Sequence, residues 1–163
     1  MLKNDLLGMV PPSVFYAELG QLCQNAHKNH LLLVGILEVI PENPNLEESF
    51  LYHEAEVLAL ISQMLTITFN TDELVSYNDT REFLVAFTTN KINIHEIVKQ
   101  QLSMIVDCVN AHFALYFKVL ISFSYTFKNE DLSTYPDQLI DRARKSSKLT
   151  IGGYTYQSLG LES

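Results

Sequence analysis

A chain of 163 residues, 47% apolar and 18% charged, is sized and composed for one globular domain rather than a disordered segment. Its formal charge of −8, with no cluster of Lys and Arg, excludes a general nucleic-acid binder, because affinity for phosphates rests on clustered cations. No apolar stretch approaches the ~18 residues of a membrane-spanning helix, and the N-terminus lacks the basic, apolar and small-residue regions of an export signal. No membrane insertion and a cytoplasmic location are therefore expected.

After Pro11-Pro12-Ser13, the residues Phe15, Leu19, Leu22 and Ala26 recur at three- and four-residue steps, which predicts an amphipathic helix with Ser13 as its N-cap. His30 to Val39 is nearly continuous apolar sequence ending at the turn-rich Pro41-Glu42-Asn43-Pro44-Asn45, as in a central strand buried on both faces. From Glu48 to Phe69 the apolar positions Leu51, Ala55, Leu58, Ile61, Leu65 and Phe69 keep helical spacing. Two extended runs follow, Glu73 to Asn78 and Leu84 to Phe87, joined by a polar tip in a β-hairpin.

A second long helix spans about Asn93, its expected cap, to Phe113, with Ile94, Ile97, Val98, Leu102, Ile105 and Val109 on one stripe. Lys118 to Phe127 reads as a strand. Pro136 marks the first turn of a further helix carrying Leu139, Ile140 and Ala143, and Gly152-Gly153 precedes a short Tyr154-Thr155-Tyr156 strand. The core order is strand-helix-strand-strand-helix-strand, the split βαβ, ferredoxin-like pattern, which by itself names no activity.

Cys23 and Cys108 fall on separate predicted helices without metal-ligand spacing and read as buried thiols in a reducing compartment. His27 and His30 lack further ligands at defined spacing, and His53, His95 and His112 are scattered, so no metal set is expected from them. Tyr116, Phe117, Phe123, Tyr125 and Phe127 could stack bases or form an interaction edge. Alternation along a strand sends half of them inward, and the reading is core packing.

The hairpin tip, Asp79-Thr80-Arg81-Glu82-Phe83, resembles the signature turn of the GGDEF family, the bacterial diguanylate cyclases, with its final Glu-Phe intact. The likeness extends along the chain. Leu6-Leu7-Gly8-Met9 followed by Phe15 is similar to the family's opening L-T-G-L-x-N-R-x-x-F, with Pro11 and Pro12 in place of Asn-Arg. Leu33 to Val39 resembles the first strand, Ser122-Phe123-Ser124 the S-I-G string, and Arg142-Ala143 the R-A-D of the last helix, with Arg144 in place of its acid.

In active members, acids of the first strand and the hairpin hold two Mg²⁺ ions that bridge triphosphates, because hard Mg²⁺ binds oxygen. The resemblance puts Glu38 at the first-strand acid and Arg81 at the hairpin acid, where a fixed positive charge repels a metal. Asp79 and Thr80 replace the glycines that permit close approach to phosphate. Leu46 and Ala55 take the two base-reading positions, and neither can hydrogen-bond a base. Nearby Asn45 and Glu54 are the substitutes within reach. The R-x-x-D product-inhibition motif becomes Asn70-Thr71-Asp72-Glu73, so Asn70 and Glu73 stand for its Arg and Asp and the bidentate guanine contact is lost. Ser147 to Thr150 lie where the last helix should supply phosphate-binding cations, with Lys148 the one displaced counterpart.

The resulting expectation is an α/β (α+β) domain with the GGDEF fold: a ferredoxin-like βαββαβ core whose central antiparallel sheet is flanked by helices. It spans residues 1–163, with an N-terminal helical segment at 1–29, the core at 30–157 and a tail at 158–163. The expected role is a catalytically inactive protein-interaction or regulatory module in bacterial cyclic di-GMP signalling, with no catalytic residue, metal or cofactor and with a protein partner or self-association. Nucleotide binding is not expected. The alternative is a receptor that binds GTP or cyclic di-GMP without turnover; last comes an active cyclase with a metal site rebuilt from Glu38, Glu82 and Asp79. A pairing of Arg81 with Glu38 in place of the metal is a further expectation, and an exposed Arg81 available to a partner is its equal alternative.

Overall fold

The computed structural model describes residues 9–24, 31–68, 74–77, 81–89, 93–128, 135–146 and 148–152. Its elements are α1 (Pro12–Gln24), β1 (Leu31–Pro41), a single 3-10 turn (Pro44–Leu46), α2 (Glu47–Thr68), β2 (Leu74–Tyr77), β3 (Glu82–Thr89), α3 (Ile94–His112), β4 (Val119–Lys128), α4 (Pro136–Lys145) and β5 (Leu149–Ile151). The five strands form one sheet in the order β2-β3-β1-β4-β5, and every neighbouring pair is antiparallel.

β1 is the middle strand because it can bury both faces. Leu33, Leu37 and Val39 face one core with Phe50, Ile61 and Leu65 of α2 and Val98, Leu102 and Ile105 of α3. Leu32, Val34 and Ile36 face a second core with Phe15 and Leu19 of α1 and Leu139, Ile140 and Ala143 of α4. The period-2 geometry of a strand thus turns an unbroken apolar run into two separate cores, with helices on both sides of the sheet. Gly35, between them, lets the buried Phe123 ring cross the strand backbone.

The helices start where their local chemistry allows. Pro12 opens α1, so Ser13 lies inside the helix and is not its N-cap; Pro lacks only an N–H that the first turn leaves free anyway. Asn93 sits at the N-cap of α3 without a side-chain cap bond. α4 begins at Pro136, and the Gln138 side chain accepts from the Tyr135 backbone N–H. It ends at Lys145 and gives way to strand β5, so Lys148 and Leu149 to Ile151 do not continue the helix. The expected Tyr154–Tyr156 strand lies outside the described residues. Cys23 is half-buried and Cys108 is exposed, which corrects the expectation of two buried thiols.

Candidate functional site

At the end of β1 the sheet meets the N-terminal half of α2 and Arg81, the residue before β3. These pieces enclose an open cleft of about 530 Å³ lined by Glu38, Pro41, Pro44, Glu47, Leu51, Glu54 and Arg81. Arg81 precedes β3 with φ of 65°, the left-handed region that a non-glycine residue rarely occupies. Two backbone bonds hold it there. Its N–H donates to the Tyr77 hydroxyl at 3.1 Å, and its carbonyl accepts from the Val39 N–H at 3.1 Å, which extends the β1–β3 ladder by one rung.

The Arg81 side chain lies on one face of α2. Its Nε donates to Glu54 Oε2 at 2.9 Å, while Nη1 and Nη2 form a fork on the two oxygens of Glu47. The guanidinium carbon sits 4.5 Å from the centre of the fully buried Phe50 ring, a cation–π contact. Glu47, Phe50 and Glu54 come three and four residues apart, one side of a helix. The hydrogen bond from Arg81 holds the Glu47 carboxyl below its ordinary pKa, and the same bond raises that of Arg81, which stays charged throughout.

Glu38 does not pair with Arg81, contrary to the expectation. The alternation of β1 sends its side chain to the other face, among Ile36, Ser122, Ser124 and Glu82. Glu38 and Glu82 are direct cross-strand neighbours, an arrangement that repels when both are ionised. Two cations offset it: Arg144 of α4 donates to Glu82 at 2.8 Å, and the Lys148 ammonium lies 3.9 Å from Glu38. Arg144, the residue in place of the family's acid, is therefore the partner of the hairpin Glu.

Leu46 is half-buried at the end of the 3-10 turn and packs on the core, whereas Ala55 is exposed on α2. Glu54 is engaged by Arg81, and Asn45 is exposed with its N–H bonded to Asn43 Oδ1. Phe83 is fully buried. Asp79, Thr80, Asn70 and Glu73 lie outside the described residues. Glu47 was missed from the sequence altogether. A signal for it was present: Leu31 to Thr80 contains nine Asp and Glu and no Lys or Arg, so the next cation in the chain, Arg81, returns to a segment of unbalanced negative charge.

No protein-family model and no curated protein matches the sequence. Solved structures do match on fold. The GGDEF domain of DgcB from Caulobacter crescentus, solved in complex with c-di-GMP, superposes with a TM-score of 0.63 at 12% identity, over 85% of this chain and 83% of that one. The FimX GGDEF domain from Pseudomonas aeruginosa gives 0.61 at 14% identity, over 87% and 88%. Diguanylate cyclase SiaD from Pseudomonas aeruginosa, solved with its activator SiaC, gives 0.61 at 15% identity, over 88% of this chain and 58% of that one. The chain has the fold of a GGDEF domain, as its hairpin and strand order led one to expect. No helix among the described residues is long and apolar enough to cross a membrane.

Proposed function

We propose that this chain is a GGDEF-type domain that does not synthesise cyclic di-GMP and acts as a protein-binding, regulatory module in cyclic di-GMP signalling. The observation that carries this reading is the bond from Arg81 to Glu47 and Glu54 across the cleft beside β1. Magnesium needs oxygen ligands with negative charge left to offer. Here the hairpin position supplies a guanidinium, and each of Glu38, Glu47, Glu54 and Glu82 already faces a cation of the same chain. These residues do not fit a pair of Mg²⁺ ions, and neither Leu46 nor Ala55 offers a base a hydrogen bond.

A role in binding protein is supported by the fold relative SiaD, which was solved with a protein activator. Isothermal titration of the domain with GTP and with cyclic di-GMP, each with Mg²⁺, tests the reading, together with chromatography of the GTP reaction. No heat of binding and no product are expected. Product formation overturns inactivity, and binding without product replaces the module with a nucleotide receptor.

A further inference from the structure

Away from the cleft, α2 and the turn after α3 bring several large apolar side chains to the surface. Tyr52 is 84% exposed, Leu115 92% and Tyr116 50%. His53 links the two tyrosines, its ring 5.0 Å from Tyr52 and 4.4 Å from Tyr116 and its Nδ1 bonded to the Ser49 carbonyl at 3.0 Å, and Leu115 adjoins Tyr116.

The turn that presents Leu115 and Tyr116 is rigidly built. Asn110 brackets Val119 with both ends of its amide, accepting from the N–H at 2.8 Å and donating to the carbonyl at 3.3 Å. The rings of Phe113 and Phe117 stack beneath it, 5.3 Å apart. A groove of about 280 Å³ runs beside Leu115 and Tyr116 toward Leu46 and Glu42. Exposed aromatics on a fixed platform carry little ordering entropy into a complex, the condition under which they become binding anchors.

The charge around the cluster selects its occupant. Glu48 and Glu56 lie one helical turn to either side of Tyr52, both exposed and neither paired with a cation among the described residues. Glu42 lines the groove beside Leu115 and Tyr116 together with Lys118, so three acids, Glu42, Glu48 and Glu56, stand against that one cation around the cluster among the described residues. Anionic lipid, nucleic acid and a second copy of this acidic face are all repelled.

We infer that the Tyr52–Tyr116 face docks a partner protein through a basic amphipathic segment, whose apolar side chains cover the aromatics while its Lys and Arg face Glu48 and Glu56. This inference rests on the protein-binding reading above and names the partner's chemistry.

The test is selection of a displayed library of random helical peptides on the whole domain, followed by fluorescence anisotropy of the enriched peptides. Expected are peptides with an apolar stripe flanked by Lys and Arg. They should weaken with added salt and bind about tenfold or more weakly to Tyr52→Ser/Leu115→Ser and to Glu48→Lys/Glu56→Lys. All four positions are exposed, and circular dichroism checks that both variants stay folded.

No enrichment, a neutral or acidic consensus, or binding that neither variant changes overturns the inference. So does sedimentation showing a wild-type dimer that Tyr52→Ser/Leu115→Ser disperses, which assigns the face to a second copy. The nucleotide titrations read the parent proposal separately: turnover of GTP with basic-peptide binding intact overturns inactivity and leaves the docking face standing.

Discussion

Arg81 Nε donates to Glu54 Oε2 at 2.9 Å across 27 positions of sequence, and this bond ties the residue before β3 to the N-terminal half of α2. Both side chains are mostly shielded, at 21% and 28% exposure, so the pair belongs at the upper end of what surface ion pairs contribute. A double-mutant cycle of Arg81→Met and Glu54→Gln in urea unfolding should give a coupling of about 0.5–1 kcal/mol. Methionine keeps an apolar stem over Phe50, so packing changes little. A coupling indistinguishable from zero would mean that the Glu54 bond does not help hold Arg81 and that Glu47, Phe50 and the two bonds of the Arg81 backbone do so without it.

The same clamp predicts a pH dependence with a definite sign. Glu47 titrates below its ordinary pKa because Arg81 bonds its ionised form. Its contribution is fully present above the unfolded carboxylate value of about 4.3 and is lost as pH falls through the lower folded value. The gap in melting temperature between the wild type and Arg81→Met should therefore stay level from about pH 8 to pH 5 and close below that. A gap that widens in acid contradicts the assignment.

Restoring a carboxylate at the hairpin provides a sharper trial of the cation's role. Arg81→Asp sets a third acid against Glu47 and Glu54, while aspartate tolerates the left-handed backbone at this position. Without metal it should melt below Arg81→Met, because like charges then converge. Millimolar Mg²⁺ should raise the melting temperature of Arg81→Asp and leave the wild type unmoved. Equal responses of the two proteins would show that Arg81 does not stand in for a bound cation.

The fold was legible because its signals are periodic and local. The unbroken apolar run of β1 implied a strand buried twice, and the stripe through Val98, Leu102, Ile105 and Val109 gave α3 its buried face. The partner of Arg81 was not legible. Glu38 was the nearer guess from the resemblance, but strand alternation aims it away, and only the packing of α2 against the same end of the sheet brings Glu47 and Glu54 within reach. The start of α1 was displaced by two residues, since Pro12 can open a helix that Ser13 would otherwise cap ahead of Val14. Cys108 could have been placed correctly from periodicity, because it falls off the stripe that Val109 occupies.

The two thiols differ in reach. Cys108 is exposed on α3, whereas Cys23 packs partly against the second core, where burial raises its pKa and Lys128 offsets only part of the rise. The thiolate is the nucleophile, so partial burial and a raised pKa both slow the reaction of Cys23. Iodoacetamide at pH 8 should alkylate Cys108 first, by several-fold, with peptide mass spectrometry distinguishing the two sites. Prior or equal labelling of Cys23 would mean that α1 opens readily from the sheet.

Gly35 is the position where the double-sided burial of β1 is most tightly drawn. It pairs with Val85 of β3 on one side and Tyr125 of β4 on the other. A methyl group built on it would lie 2.5 Å from Phe123 Cζ and 2.7 Å from Cε1, closer than side-chain atoms approach. Phe123 is only 1% exposed and stacks on Tyr125 with ring centres 5.3 Å apart, so it has nowhere to swing. Overpacking of this kind costs about 1–3 kcal/mol, and Gly35→Ala should lose that much in urea unfolding. Phe123→Leu removes the colliding edge of the ring, so the double variant should lose less than the sum of the two single losses. Strict additivity would instead locate the strain in the backbone of β1, because a backbone penalty is indifferent to which side chain lies above it.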